Sequence, residues 1–233
     1  MRSNPVQVLL ASAMVLGMWA GNVEAQSESL TIAVLPFEDR GSYGQDKEVF
    51  RALELGIPSI LAAELAKNPR IRLADQSRLV KAIQGEKLGE DARMDAATAG
   101  RIGSQAGARY TLTGTFADFY GKFRVDARLV DVSSGQIVKV VSNNDPKLQD
   151  RADLHRIIQD LSGRVSAAAG LPVQPGTPQA RERVIPTEAL TQYSFGLLSE
   201  NAGEKAKARD HYQRALTAFP DFAEAREGMQ RSR

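Results

Sequence analysis

The clearest pattern along the chain is an alternation of apolar and charged residues over positions 123–129. The apolar residues are Phe123, Val125, Ala127 and Leu129, and the charged residues between them are Arg124, Asp126 and Arg128. Successive strand residues point to opposite faces, so this spacing predicts a strand with one buried and one wet side, as antiparallel sheets permit. Glycine-containing turns at 120–122 and 133–136 predict a further strand on each side.

The part of the chain before this hairpin is predicted to contain alternating strands and helices. A buried strand is predicted from Leu30 to Phe37, with Pro36 marking its end because proline cannot donate to a ladder. Apolar residues at helical spacing then predict a helix that ends at Asn68-Pro69. These residues are Val49, Leu53, Ile57, Ile60, Leu61 and Leu65. Pro58 within it predicts a kink, or a helix that truly starts near Ile57.

A short strand and three helices are predicted in the rest of this domain. A short strand is expected at Ile71 to Ala74, then a helix capped by Asp75 or Ser77 with Leu79, Val80 and Ile83 as its apolar face. After a loop over Gly85 to Arg93, Asp95 caps a small-residue helix that stops at Gly107. A last amphipathic helix carries Leu154, Ile157, Ile158, Leu161 and Val165 and ends near Gly170.

The domain organisation follows from these elements. Residues 1–25 have an apolar core, Val8 to Trp19, and small residues up to Ala25, which predicts a cleavable signal peptide and a periplasmic location. Residues 26–170 are predicted to form an α/β domain with a mixed sheet. Residues 171–186 contain four prolines and predict a linker. Residues 187–233 are predicted to form an all-α tail.

Composition narrows the classes of function. The chain has no cysteine, which excludes disulfides, thiol nucleophiles and thiolate metal sites, and argues against a lipid anchor. The formal net charge is +2, with 30 basic and 28 acidic residues mixed along the chain. Basic runs with interleaved aromatics are missing, so nucleic acid is not expected as a partner.

The order of motifs from about Leu30 to Val141 resembles the CsgG family, the amino-terminal domain of TolB and FlgO-like domains. The sharper motifs are Gly107-Ala108-Arg109-Tyr110 leading to Gly114-Thr115, and Leu129-Val130-Asp131 followed by Gly135 and Ile137. The resemblance implies an α/β sandwich with helices on one sheet face. It also implies non-catalytic work in secretion, surface-fibre export or activation of a peptidoglycan synthase.

This sequence departs from the pore-forming members of that group. It lacks an anchoring cysteine, and the turn at Tyr120 is tight. A membrane-spanning strand needs about 9–11 residues with an apolar row towards lipid, which the charged row of 124–128 does not provide. A pore is therefore not expected, and contact with the outer membrane is at most peripheral.

The tail resembles a tetratricopeptide repeat. Gly196, Ala208, Tyr212, Ala215 and Pro220 fall at the motif's small, aromatic and terminating positions, whereas Ser199 departs from it. The resemblance implies two close antiparallel helices with Tyr212 between them, and residues 222–229 begin a further helix. A single repeat leaves an apolar face uncovered, so the tail should pack on the main domain or on another subunit. This reasoning also predicts a homo-oligomer.

The acidic and histidine residues that could serve in catalysis are not predicted to come together in one site. Glu38 and Asp39 are adjacent on a strand and so point apart, which favours a solvated loop start over a metal or acid/base pair. His155 and His211 lie in charged helical stretches and are read as surface residues. Nucleophile-elbow, phosphate-loop and dinucleotide motifs are missing. We therefore expect no enzyme activity, no cofactor and no metal.

Four aromatic residues are the candidate contacts for a protein partner. Phe119 and Tyr120 lie at the hairpin turn, where exposed rings would be available for binding, while Phe116 and Phe123 are assigned to the core. Tyr193 and Tyr212 are the candidates on the helical tail, whose groove type commonly receives peptides. The sequence leaves the identity of the partner open.

The sequence therefore predicts a non-catalytic periplasmic factor that binds an envelope protein during secretion, surface-structure assembly or envelope maintenance. An outer-membrane export component of the CsgG type and a regulator of a peptidoglycan synthase remain alternatives. A hydrolase is a weaker alternative, which would require a deep pocket with perturbed acids or a histidine.

Overall fold

The computed structural model describes residues 29–86, 94–143, 149–171 and 184–233. The predicted signal peptide (1–25), most of the predicted linker (171–186) and most of the loop over Gly85 to Arg93 lie outside these residues. The strands are β1 (Leu30–Asp39), β2 (Ile71–Leu73), β3 (Tyr110–Phe119), β4 (Lys122–Asp131), β5 (Gln136–Ser142) and β6 (Gln149–Asp150). The helices are α1 (Lys47–Ala66), α2 (Gln76–Gly85), α3 (Ala96–Gln105), α4 (Leu154–Ala168), α5 (Thr187–Asn201), α6 (Lys205–Ala218) and α7 (Ala223–Arg231), with a 3₁₀ turn at Arg151–Asp153.

These strands form one mixed sheet in the order β2-β1-β3-β4-β5, with β6 pairing the start of β4. β1 runs parallel to β2 and β3, whereas β3, β4 and β5 form an antiparallel meander. The predicted α+β class with a mixed sheet and a helical C-terminal portion is thus confirmed. The alternation over 123–129 is also confirmed, since its apolar members are fully buried.

Helices pack on both faces of the sheet, which corrects the expectation of helices on one face. The larger core joins one sheet face, through residues such as Ile32 and Leu129, to α1 and α4. A smaller core joins the opposite face, through Leu35 and Val130, to α2 and α3. β1 can serve both cores because its neighbouring residues point to opposite faces.

The prediction that Pro36 ends the first strand is wrong. β1 continues to Asp39, and its register against β3 shifts between Val34 and Phe37. The irregularity leaves Pro36 at a point where no regular ladder bond from its nitrogen is needed, which is where sheets tolerate proline. The extra residues carry Glu38 and Asp39 forward to the end of the sheet where the hairpin turn lies.

The other local predictions hold with two exceptions. Asp75 and Asp95 cap α2 and α3 by accepting hydrogen bonds from Arg78 N (2.9 Å) and Thr98 N (2.7 Å). α1 begins at Lys47 and runs through Pro58, so a start near Ile57 is wrong. Val80 is exposed, and Ala82 rather than Val80 joins Leu79 in the core face of α2.

The helical tail packs on the main domain through α1. The hydroxyls of Ser59 on α1 and Tyr193 on α5 are 2.7 Å apart and share a hydrogen bond. α5, α6 and α7 enclose Tyr212, whose ring fills the space left by Gly196 and Gly228. The structure therefore follows the first of the two predicted alternatives, docking on the main domain. The homo-oligomer was predicted because an isolated repeat would leave an apolar face uncovered. Docking on α1 covers that face, so this reason no longer supports the homo-oligomer, which stays a prediction.

Candidate docking site at the aromatic tip

The β3–β4 hairpin ends in a two-residue turn that exposes an aromatic ring. Phe119 pairs with Lys122, leaving Tyr120 and Gly121 as the turn. Both have positive φ, 54° and 86°, as a type I′ hairpin turn requires. The Tyr120 side chain is 84% exposed, which confirms the expectation that this ring reaches solvent.

Two further aromatic residues join Tyr120 at this end of the sheet. Tyr43, from the loop after β1, stacks on Tyr120 with ring centroids 6.2 Å apart and an interplanar angle of 20°. It also contacts Phe119 at 5.7 Å. We call Tyr43, Phe119 and Tyr120 the aromatic tip. Tyr43 is itself more than half exposed, whereas Phe119 is half-buried and supports the other two rings.

Asp118 fixes the backbone beneath the aromatic tip. Its Oδ1 accepts a hydrogen bond from Gly121 N at 2.6 Å, and its carbonyl oxygen accepts one from Tyr43 N at 2.7 Å. Its own N–H donates to Oγ of Ser42 at 2.9 Å, and Ser42 donates in turn to Asp39 Oδ1 at 2.6 Å. A single buried residue thus ties the turn and the β1 loop together.

Arg151 also contacts Asp118 and the turn. We call Ser42, Asp118 and Arg151 the brace. Its Nη1 lies 3.0 Å from Oδ2 of Asp118, an ion pair without hydrogen-bond alignment, and its Nη2 lies 3.3 Å from Oδ2 of Asp46. Its backbone N–H donates to Gly121 O at 2.7 Å. The buried carboxylate therefore has a cationic partner, which a buried charge requires. The 3₁₀ turn after β6 holds the arginine in place.

Tyr120 is an unusual residue for its position. A side chain with φ near +54° costs roughly 1–2 kcal/mol in an L-residue, and asparagine or glycine normally fills such turns. The ring also gains little from the fold, since it is largely exposed. The braced backbone around Asp118 holds this strained conformation in place. Strain of this kind, held by its surroundings, is typical of functional sites rather than of ordinary turns.

The tail residues predicted as contacts are not available to a partner in this conformation. Tyr193 is 3% exposed and Tyr212 is 0% exposed. Tyr193 packs on Phe222 with centroids 4.9 Å apart, and the Tyr212 hydroxyl donates to Glu200 at 2.5 Å. Both rings fill the interior of the three-helix tail, because the small residues around them leave space that only large side chains can occupy. The prediction that Tyr193 and Tyr212 contact a partner is therefore corrected: both are core residues.

Both histidines were predicted to be surface residues, but they are buried to different extents. His155 is fully buried: its Nδ1 accepts from Ile185 N at 3.2 Å and its Nε2 lies 3.3 Å from Oε1 of Glu64. It joins α4 to α1 and to the chain entering α5, so its reading as a surface residue was wrong. His211 is half-buried, contacts Gln192 and stacks on Phe195. Neither one neighbours the aromatic tip.

Glu38 and Asp39 act in structure, each with separate partners. Glu38 Oε1 accepts from Met94 N at 2.7 Å, and its other oxygen pairs with Arg40. Asp39 binds Ser42, as described above. The two carboxylates point apart as predicted, but they lie within β1 rather than in a solvated loop. Among the described residues, no group of three or more His, Asp or Glu is placed to hold a metal ion.

In the parts of the chain that the structure describes, no helix combines the length and apolarity needed to cross a membrane.

Sequence reasoning found Phe119 and Tyr120 but missed Tyr43 and the brace. The available signal was weak: an apolar ring in the otherwise polar, glycine-containing stretch 38–46. Asp118 and Arg151 meet because β6 pairs with β4. β6 has only two residues, so no alternation of apolar and polar positions predicts it. The brace is therefore a tertiary feature that local patterns do not encode.

No protein-family model matches the sequence, and no curated protein matches it at a significant level. The chain is similar to several solved structures. One is the LpoB C-terminal domain from Escherichia coli, with 19% identity, 50% of this chain and 82% of that chain covered, and a TM-score of 0.36. Another is TolB from Acinetobacter baumannii, with 19% identity, 61% and 28% covered, and a TM-score of 0.35. A third is lipoprotein GNA1162 from Neisseria meningitidis, with 16% identity, 63% and 99% covered, and a TM-score of 0.37.

Proposed function

We propose that this chain is a non-catalytic protein-binding factor of the bacterial cell envelope, and that the aromatic tip is its docking site. The observation that carries the proposal is Tyr120, which is 84% exposed in a strained conformation that its surroundings enforce. The periplasmic location rests on the signal-peptide pattern of residues 1–25.

The chemistry of the tip suits a protein partner. Tyrosine rings supply large, rigid contact area at low cost in side-chain entropy, and they are enriched among the residues that dominate binding energy. Tyr43 and Tyr120 are already stacked, so little ordering is needed when a partner binds. Charged pairs around them, such as Lys122 with Asp150 at 3.2 Å, provide a polar rim.

Rigidity is the second support for docking at this place. The hydrogen bonds of Asp118 and Ser42 fix both chain segments that carry the rings. A loop that served only to connect β3 to β4 would need neither the brace nor an aromatic residue. The tip therefore presents a preorganised surface, and its partner should carry an apolar pocket or groove that receives two rings.

The proposal is tested by affinity capture from native envelope extracts. The bait is the chain from Gln26 onward, which contains every residue that the structure describes. Tyr120→Asn removes the ring and keeps the turn, because asparagine tolerates positive φ. Val80→Asn is the matched control, since Val80 is an exposed apolar residue on α2 away from the tip.

We expect an envelope protein that both the unaltered chain and Val80→Asn capture, and that Tyr120→Asn captures at least tenfold less. The identity of that protein separates the two finer functions. A peptidoglycan synthase would make this chain a synthase regulator, and an outer-membrane channel would make it an export component. Equal capture by all three baits would overturn docking at the tip.

A further inference from the structure

β5 lies at one edge of the sheet and exposes three apolar side chains. Within the residues that the structure describes, β5 pairs with β4 alone, so the backbone groups on its outer side have no strand partner. Ile137, Val138 and Val140 are 46%, 47% and 52% exposed. An apolar open edge is a template for pairing with another strand, and natural sheets usually protect such edges.

An irregularity in the β4–β5 pairing sorts the side chains of this edge onto two faces. The register shifts at Val138, so Ile137 and Val140 lie on the same face, the one on which α3 packs, although they are three residues apart. Lys139 pairs with Leu129 and therefore lies on the opposite face. Lys139 is exposed, and it forms no ion pair with another described residue. Ile137 and Val140 are thus the exposed apolar residues on one face, and Lys139 is the exposed charged residue on the other, next to the buried Val141.

We propose that β5 binds an extended segment of a partner protein in which apolar and acidic residues alternate. Such a segment adds to the sheet through backbone hydrogen bonds, as in other cases of strand addition. Its apolar side chains lie beside Ile137 and Val140. Its acidic side chains then point to the other face, where Lys139 supplies the opposite charge.

This surface is separate from the aromatic tip. Val140 pairs with Arg128, eight residues along β4 from Tyr120, which is roughly 25 Å at the rise of a strand. The tip end of β4 is instead occupied by β6. Failure of one surface therefore leaves the other intact, and the two proposals can be tested independently.

The test uses two fluorescent nine-residue peptides, one alternating valine with glutamate and one alternating valine with lysine. Binding to the chain from Gln26 onward is measured by fluorescence anisotropy. The variants are Lys139→Glu, which reverses the charge of the edge, and Val140→Asp, which removes apolar surface. Val80→Asp on α2 is the matched control, and Tyr120→Asn reports on the tip.

We expect the valine–glutamate peptide to bind the unaltered chain, Val80→Asp and Tyr120→Asn alike. Lys139→Glu should lower the affinity for this peptide about fivefold to tenfold and raise the affinity for the valine–lysine peptide. The reason is that like charges placed opposite each other destabilise a strand pair. Val140→Asp should weaken the valine–glutamate peptide at least as much. Circular dichroism should show all four variants folded, because each altered residue is exposed.

Three results would overturn the proposal. The first is that neither peptide binds at millimolar concentration, or that both bind regardless of the charge at position 139. The second is a dimer in sedimentation that Val140→Asp dissociates, which would make a second copy the occupant. The third is slow hydrogen exchange, in the free monomer, at those amides of residues 137–140 that point away from β4, which would mean that the chain covers its own edge.

Discussion

Gly56 of α1 faces Ser194 of α5 so closely that no side chain fits at position 56. A Cβ built on Gly56 would overlap Oγ of Ser194 and lie 2.7 Å from its Cβ. Ser194 is itself fixed, because its hydroxyl donates to Leu190 O at 2.7 Å. This contact sets the distance between the α/β domain and the helical tail.

Gly56→Ala should therefore destabilise the protein, although alanine is the better helix former. Overpacking of this kind costs typically about 1–3 kcal/mol, and each kcal/mol lowers the melting temperature by roughly 2–4 °C in a chain of this size. Thermal unfolding followed by circular dichroism measures the change. Gly85→Ala is the control, since the nearest atom to its Cβ, Gln105 Oε1, is 3.9 Å away.

Adding Ser194→Gly to Gly56→Ala should restore part of the lost stability, because it removes the atoms that clash. A melting temperature for Gly56→Ala equal to that of Gly85→Ala would mean that α5 does not lie against α1 as described.

Glu64 should make stability depend on acid pH. Burial opposes its charged form, but the close contact with His155 Nε2 and the hydrogen bonds from Lys67 outweigh burial and hold the pKa of Glu64 below its ordinary value of 4.5. The folded state thus favours the carboxylate. Its contribution is present above pH 4.5 and is lost as the pH falls through the lowered folded pKa. Urea unfolding of the unaltered chain and Glu64→Gln between pH 6 and pH 3 should show the smaller loss in the variant.

Other carboxylates titrate over the same range, so the difference between the two proteins is the quantity that tests Glu64. Parallel pH profiles for the unaltered chain and Glu64→Gln would contradict the contact between Glu64 and His155.

Tyr193 should make stability fall at alkaline pH. Burial raises the pKa of Tyr193 to about 12 from an ordinary value of 10.0. A raised pKa means that the folded state holds its proton longer than the unfolded state. Its contribution is full below pH 10 and is lost as the pH rises towards 12. Tyr193→Phe should lose less stability between pH 9 and pH 11.5 than the unaltered chain does, as measured by urea unfolding at each pH.

If the unaltered chain and Tyr193→Phe lose the same stability over this pH range, the Tyr193 hydroxyl is not buried between α1 and the tail.

Tyr120→Asn should stabilise the free protein while it weakens partner binding. Asparagine adopts positive φ at lower cost than tyrosine, so the gain is about 1 kcal/mol, or roughly 2–4 °C in melting temperature. Differential scanning calorimetry measures it against Val80→Asn, which should show no gain. A fall in melting temperature for Tyr120→Asn would indicate that the ring serves the fold rather than a partner.

Local sequence patterns predicted those parts of the fold that depend on neighbouring residues. The alternation from Phe123 to Leu129 and the caps at Asp75 and Asp95 need only nearby positions to be recognised, and the structure has them as expected. The exposed turn at Tyr120 was readable for the same reason, since two strands that meet at Tyr-Gly leave the ring at the end of a hairpin.

The errors arose where distant segments meet. Helical spacing placed His155 in a charged stretch, but burial depends on Glu64 and Ile185, which are far away in sequence. The pattern around Tyr212 predicted the helix pair correctly, yet the same burial removes Tyr212 from any docking surface. Pro36 wrongly predicts a strand end, because the sequence of β1 alone does not show the register shift against β3.

Site-specific photo-crosslinking at position 120 tests docking at the aromatic tip most directly. A benzoyl-phenylalanine replaces Tyr120 in one protein and Val80 in a second, and both are irradiated in living cells of the native host. The account predicts a discrete adduct with one envelope protein at position 120 and no such adduct at position 80. The same adduct at both positions, or at position 80 alone, would contradict it.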